Sequence, residues 1–258
     1  MAMKILLTND DGVEALGLTV LAHKLKEVGE IYVAAPCQEQ SGVGHGLTVH
    51  MPLRAKELSW PDIAEKVWAV SGTPADCVKL AIEMLMPCRP DLVVSGINHG
   101  PNLGTDIIYS GTVAGAMEGY LNGVTSIAIS VTGTHRRQKS GNFPLAARVA
   151  ADYCQKLYDA QLPGRMLLNI NVPGSRDDQV KGIVNAPMGW RWYTDAYDHR
   201  IDPMGRDYYW LQGQLEDADN GQHTDVAMSN AGFITVTPLQ FNLTDREALR
   251  KLDEGELF

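Results

Sequence analysis

Ile5-Leu6-Leu7-Thr8-Asn9-Asp10-Asp11-Gly12 joins a short apolar run to two adjacent carboxylates and a glycine. The run reads as a buried strand and the polar residues as its exit. In an open α/β sheet, ligands bind beyond the carboxyl ends of the strands, so Asp10 and Asp11 sit at a ligand-binding address. Neighbouring side chains of a strand point to opposite faces, but Gly12 lets the backbone turn and both carboxylates can then converge. Convergent carboxylates repel unless a cation lies between them, and Mg²⁺ or Mn²⁺ accepts such oxygen ligands. Taken alone, the fragment reads equally as an ordinary turn, because Asn and Asp are turn formers and helix N-caps.

Working outward, apolar runs and helical patterns alternate through the first two thirds of the chain, as β-α-β units around a mostly parallel sheet require. Strands are expected at Lys4 to Leu7, Ile31 to Ala35, Val67 to Val70, Asp91 to Ser95, Ser126 to Val131 and Met166 to Ile170. Helical spacing lies between them: Leu18, Leu21 and Leu25 in one helix, and Val78, Ala81, Ile82 and Leu85 in another that Pro87 ends. Two more run from about Thr112 to Leu121 and from about Pro144 to Tyr158, with Pro144 in the first turn. Leu47 to Val49 and Leu53 to Leu58 read as a short hairpin or excursion.

After about Pro173 the texture changes. Trp190, Trp192, Tyr193, Tyr197, Tyr208, Tyr209 and Trp210 crowd into a stretch with few aliphatic runs. An arm of short strands fits this better than another β-α-β unit, and such an arm must pack on its own core or on a neighbouring subunit. Phe233 to Thr237 restores a strand, and Thr244 to Leu252 reads as a terminal helix capped by Thr244 with Glu247 completing a capping box. The expected organisation is a core over residues 1–173, an aromatic extension or swapping arm over 174–232, and a returning strand and helix over 233–258.

Composition narrows the class. The 258 residues carry a formal charge of −9, which disfavours wrapping a nucleic-acid backbone. No transmembrane-length segment and no signal-peptide pattern is visible. Cys37, Cys77, Cys88 and Cys154 lack CxxC spacing and read as reduced thiols, so a cytoplasmic protein with no membrane association is expected.

Three further segments begin where strands end: Gln40-Ser41-Gly42-Val43-Gly44-His45-Gly46, Ser95-Gly96-Ile97-Asn98-His99-Gly100-Pro101-Asn102, and Tyr109-Ser110-Gly111-Thr112. A parallel sheet gathers all three near Asp10 and Asp11. Glycine-rich loops bring backbone N–H groups against an anion. Ser110-Gly111-Thr112, at a helix start, is the best phosphate cradle, and it reads equally as a simple N-cap. Asn98 and Ser41 offer neutral oxygens acceptable to a hard cation. His45, His99 and His223 could act as acids or phosphate donors, but no orienting carboxylate is visible near them in the chain.

Together, Thr8-Asn9-Asp10-Asp11-Gly12, Ser41-Gly42, Ser71-Gly72-Thr73-Pro74-Ala75-Asp76-Cys77, the Ser95 to Gly104 loop, Tyr109 to Ala116, Asp202 to Trp210 and Thr224-Asp225 resemble the survival protein SurE family. With Gly232 to Leu239, these blocks extend almost to the C-terminus. The chain departs from the family pattern at Cys37-Gln38, where an acidic–basic pair is common, and at His223, where a glycine is common. The resemblance implies a Rossmann-like, mostly parallel α/β sheet flanked by helices, with a C-terminal β-rich arm involved in oligomerisation. It also implies one divalent ion per subunit held by Asp10, Asp11, Ser41 and Asn98, with Ser110, Gly111 and Thr112 around a phosphate. Mg²⁺ or Mn²⁺ is the expected ion and Ca²⁺ a further candidate. The implied partner is a small nucleoside monophosphate, and the implied assembly a homodimer or homotetramer.

The leading functional expectation is a phosphomonoesterase acting on nucleoside 5′-monophosphates, and on 3′-monophosphates as an extension, by metal-activated water. Asp10 or Asp11 would orient or deprotonate that water. The alternatives are an aspartyl-phosphate-forming phosphatase, a receiver-like signalling module and a non-catalytic nucleotide-binding protein. Adjacent carboxylates differ from the Asp-x-Asp spacing of the first alternative. Ser71 and Ser95 stand where a receiver would need a phosphoacceptor aspartate.

Overall fold

The computed structural model describes residues 2–133, 142–161, 163–194, 197–217 and 221–255. Its centre is a nine-stranded sheet in the order β3 (Ala55–Leu58), β4 (Lys66–Val70), β2 (Gly29–Pro36), β1 (Met3–Thr8), β5 (Leu92–His99), β6 (Thr125–Thr132), β7 (Leu167–Pro173), β13 (Ile234–Leu239) and β8 (Ile183–Asn185). Six strands run parallel: β1 (Met3–Thr8), β2 (Gly29–Pro36), β4 (Lys66–Val70), β5 (Leu92–His99), β6 (Thr125–Thr132) and β7 (Leu167–Pro173). From β1 the chain first builds outward through β2 to β4, then returns to the other side of β1 with β5 and continues through β6 to β7. The order therefore reverses between β1 and β5, which makes the ends of those two strands the switch-point crevice of a doubly wound sheet.

Alternation along the strands divides the core into two faces. Ile5, Leu7, Val33 and Val94 pack under α1 (Leu16–Leu25) and α4 (Phe143–Asp159). Leu6, Tyr32, Ala34 and Val93 pack on the opposite face under α2 (Pro74–Leu80). Because both faces are covered, the strands are almost continuously apolar, as the sequence shows. Thr73 caps α2 in a complete capping box with Asp76, and Pro74 lies in its first turn. The helical pattern continues past Leu80 but widens into one π-type turn, Ala81–Leu85, closed by Met86 N–H donating to the Ala81 carbonyl at 2.9 Å.

The edges differ from the sequence expectation. Only Ala55–Leu58 of the predicted excursion forms a strand, β3, antiparallel to β4. Leu47 to Val49 forms none, because the local backbone turns to side chains instead: Thr48 donates its N–H and its hydroxyl to Asp76. Within the expected extension, β8 (Ile183–Asn185) adds an outer strand to the main sheet beside β13 (Ile234–Leu239). The aromatic arm is one long ribbon in two stretches. The strand β9 (Arg191–Thr194) pairs with β12 (Gln214–Asp217), and β10 (Tyr197–Ile201) pairs with β11 (Asp207–Leu211). A short helix α5 (Asp225–Asn230) precedes β13, and α6 (Arg246–Asp253) follows it. The cap of α6 is Asp245, not Thr244, because the Asp245 carboxylate accepts from Glu247 N–H and Ala248 N–H while Thr244 N–H donates to Asn242. No helix among the described residues is long and apolar enough to cross a membrane.

Helix α3 (Gly111–Leu121) lies unusually close to the sheet. Gly111, Gly115 and Gly119, spaced four apart, form the face it presents, and a Cβ on each would stand 2.7 Å from Asp10 Cβ, 2.7 Å from Thr8 Cγ2 and 2.6 Å from Ser126 Oγ, respectively. The stripe thus spans β1, β5 and β6 and seats the helix N-terminus directly on the end of β1. Gly115→Ala inserts a methyl where no space exists. Urea unfolding should show a loss of about 1–3 kcal/mol, the usual cost of overpacking a core.

Candidate functional site

Asp10 leaves β1 buried, at 5% exposure, and Gly12 turns the chain after it with φ +101°. The Asp10 carbonyl accepts from Gln40 N–H at 2.7 Å, tying the loop after β2 to the end of β1. Its carboxylate lies under the N-terminus of α3. Thr112 Oγ1 donates to Asp10 Oδ1 at 2.6 Å, and the Thr112 amide adds a second bond. Burial pushes the Asp10 carboxyl above its ordinary value, the two Thr112 bonds pull it back, and the nearby charge of Glu39 raises it further; the net direction is upward. Among the described residues, no lysine, arginine or histidine forms an ion pair with Asp10.

The other predicted residues meet Asp10 at one cleft of about 1290 Å³. Asp11, Ser41, Asn98 and Ser110 line it, together with Glu39, a third carboxylate that sequence reasoning passed over although it stands two residues before Ser41. Ser41 Oγ donates to Glu39 Oε1 at 2.6 Å. Asn98 Nδ2 donates to the Gly100 carbonyl at 2.9 Å, which leaves its amide oxygen as the end suited to a cation. The ladder between β5 and β6 breaks between Ser95 and Asn98, taking Asn98 out of regular register. Behind it, Asn102 is pinned by Asn169, Asn171 and Ser130, so the whole 98–104 loop is anchored on β6 and β7. Ser110 caps α3 by accepting from Val113 N–H at 3.0 Å. Gly111 and Thr112 stand behind Asp10 rather than in the cleft wall.

The three histidines separate. His223 is exposed, and His99 packs edge-on against Phe143. His45 does have a carboxylate partner, which lay out of sight in the sequence because it is 73 residues away: His45 Nε2 meets Glu118 Oε2 at 2.7 Å. Burial alone would raise the Glu118 carboxyl, but hydrogen bonds from His45, Lys79 and Asn122 bring it below its usual range.

Tyr109, Trp190, Trp192 and Tyr193 also line the cleft. Two carboxylates, one buried and one partly exposed, hold these residues to the core. Asp225, fully buried, accepts from Gly104 N–H at 2.9 Å and from Gly189 N–H at 2.7 Å. Asp106 accepts from both Arg191 Nη1 and Tyr193 Oη at 2.9 Å. Thr224-Asp225 was visible as a motif, but its bridging role was not.

Among the described residues, no three His, Cys, Asp or Glu side chains gather as a metal site. The four predicted donors at the cleft are the Asp10 and Asp11 carboxylates, the Ser41 hydroxyl and the Asn98 amide oxygen. That all-oxygen set, built on a buried carboxylate with no basic side chain to neutralise it, fits a hard divalent cation.

Comparison with known proteins bears on the whole chain. The family model described as Survival protein SurE matches residues 5–195. The chain is 46% identical over 252 residues to a protein of Heliobacterium modesticaldum named 5′-nucleotidase SurE, covering 98% of this chain and 91% of that protein. It is 45% identical over 243 residues to a protein of the same name from Moorella thermoacetica, covering 94% and 92%. The crystal structure of the Sure protein from Aquifex aeolicus matches with a TM-score of 0.81 at 38% identity, covering 98% of this chain and 99% of that one.

The raised Asp10 carboxyl has a consequence for stability. Its neutral form supports the metal-free fold fully below the ordinary aspartate value of 3.8, and that support is lost as pH rises through the higher folded value. At neutral pH in chelator, Asp10→Asn should therefore unfold at a higher temperature than the unmodified chain. With Mn²⁺ added, the unmodified chain should gain thermal stability and the variant should not. Thermal scans in the two buffers measure both.

Proposed function

The chain belongs to the survival protein SurE family, and on that premise we propose that it is a 5′-nucleotidase that hydrolyses nucleoside monophosphates to nucleoside and phosphate. One divalent cation is held by Asp10, Asp11, Ser41 and Asn98. The observation that carries the reading is a single cleft lined both by buried Asp10, which has no ion-pair partner among the described residues, and by aromatic rings. Bound there, a cation supplies Lewis-acid polarisation of the phosphoryl group and offsets its negative charge. Mg²⁺ and Mn²⁺ suit this donor set, with Ca²⁺ as a third ion to compare.

The chain's own residues supply the rest. Ser110 Oγ already accepts from Val113 N–H, so its proton is available to donate to a phosphoryl oxygen. Gly111 N–H, at the first position of α3, lacks an intrahelical partner and adds the helix-terminal field. Thr112 completes the cradle indirectly, by fixing the Asp10 carboxylate. Asp11, less buried than Asp10, orients the attacking water and takes its proton as oxygen bonds to phosphorus and the ester P–O bond breaks, the leaving nucleoside oxygen taking a proton from solvent. The aromatic wall offers π faces to the nucleobase, an interaction worth about 1–3 kcal/mol and tolerant of base identity. The exposed aromatics of the ribbon, among them Tyr209 and Trp210, suit burial against a second subunit in a homodimer or homotetramer.

Phosphate release from a panel of 5′- and 3′-monophosphates should vanish in chelator and return with Mg²⁺ or Mn²⁺. Asp11→Asn should lower kcat by roughly 10²–10⁴-fold, the range for a lost acid–base group; undiminished turnover at saturating metal would remove its assigned role. Trp190→Ala combined with Trp192→Ala should raise KM for a nucleoside monophosphate by about tenfold, equivalent to about 1.4 kcal/mol. The same double change should leave ribose 5-phosphate hydrolysis unaltered, which steady-state kinetics on the two substrates would check.

A further inference from the structure

Glu118 lies two turns along α3 from the cleft, nearly inaccessible, with a side-chain exposure of 5%. Its two oxygens are divided between elements. Oε2 receives His45 Nε2 at 2.7 Å, while Oε1 accepts from Lys79 Nζ at 3.2 Å and Asn122 Nδ2 at 2.8 Å. Lys79 and Asn122 belong to helical neighbours of Glu118, whereas His45 belongs to the glycine-rich loop that begins with Ser41. That loop has little intrinsic order, since Gly42 and Gly44 both adopt positive φ, at +74° and +54°, and no strand or helix forms over residues 41–49.

What holds the loop is a short set of bonds to its surroundings. Gly44 N–H donates to the Tyr109 carbonyl at 3.0 Å, and Thr73 Oγ1 donates to the Gly46 carbonyl at 2.7 Å. Thr48 donates its N–H and hydroxyl to Asp76 of α2, and His45 meets Glu118, the carboxylate that α3 contributes to the set. The same helix, through Thr112, holds Asp10. One rigid element therefore touches both sides of the donor set, Asp10 at its first turn and the Ser41 loop from its third.

We propose that Glu118 is a positioning residue for the cation site, setting the place of Ser41 relative to Asp10 through its bond to His45. This rests on the reading of Asp10, Asp11, Ser41 and Asn98 as cation ligands. Partners behind a first ligand shell typically change metal affinity by about 10–100-fold when removed. Glu118 touches neither substrate nor cation in this arrangement, and its effect passes entirely through the loop.

The test is Mn²⁺ binding to the full chain, followed by electron paramagnetic resonance of free Mn²⁺, with no substrate present. Glu118→Ala and His45→Ala should each weaken binding by about tenfold. The double variant should be no weaker than either single within about twofold, because both changes cut the same link. His45→Gln, which keeps a donor for Glu118, should recover most of the affinity. Lys79→Met, which touches Glu118 from the side away from the loop, should leave it within about twofold of the unmodified chain. Thermal unfolding of each metal-free variant reports whether the fold persists, and if Glu118→Ala does not fold, the half-exposed loop variants at His45 carry the test. Unchanged Mn²⁺ affinity in His45→Ala, or a double variant weakened by the product of the two singles, would overturn the proposal. Absence of Mn²⁺ binding by the unmodified chain would overturn the ligand assignment itself, a distinct failure.

Discussion

The seating of α3 on the carboxyl end of β1 is the constraint on which the site depends. A helix with ordinary side chains on that face would stand off the sheet by the depth of a Cβ or more, and Thr112 could not then reach Asp10. Gly111, Gly115 and Gly119 remove that separation, so the first turn of the helix closes over the aspartate. The cost is the loss of side-chain packing at three positions and the lower helix propensity of glycine. The return is a carboxylate placed against a helix N-terminus, where the aligned peptide dipoles favour negative charge.

Among the described residues, no basic side chain pairs with Asp10. It is buried, its hydrogen bonds offset only part of the desolvation, and the charge of Glu39, which lines the same cleft, adds to the cost. Removing a carboxylate from water is expensive unless an opposite charge accompanies it. Ser41 and Asn98 stand in the same cleft with oxygen atoms and no charge of their own, so in the proposed site they would add donors to a cation without adding to the repulsion. The polar residues thus make chemical sense as a set, and no one of them would do so alone.

The aromatic part of the cleft is assembled by two carboxylates, buried Asp225 and partly exposed Asp106. Asp225 joins the loop leading to α3 with the segment leading to the aromatic ribbon, and Asp106 anchors Arg191 and Tyr193 to the same loop. Both act through short bonds to backbone or fixed side-chain donors, which resist shear better than apolar contact does. Beyond them the ribbon leaves Tyr197, Tyr209 and Trp210 exposed.

Much of the fold was legible because its signals are local. Alternating apolar runs located the six parallel strands, Pro144 and Pro87 marked helix limits, and the position of Asp10-Asp11 after an apolar run announced a strand end. The terminal helix was recognisable while its cap was not, since Thr244 and Asp245 are both good caps and only geometry chooses between them. Asp10, Asp11, Ser41 and Asn98 could also be picked out from their places at strand ends and the glycines around them, and all four line one cleft. What the tertiary structure alone decided is which distant groups meet. Thr112 reaches Asp10 across 102 residues, His45 reaches Glu118 across 73, and Gly104 reaches Asp225 across 121. Periodicity carries information over a few residues, whereas these bonds depend on how closely α3 lies to the sheet and how the ribbon returns to it. The sequence by itself determined the order of the elements and the chemistry of the residues at their ends; packing determined their partners, because a hydrogen bond requires its two atoms within about 3 Å wherever in the chain they arise.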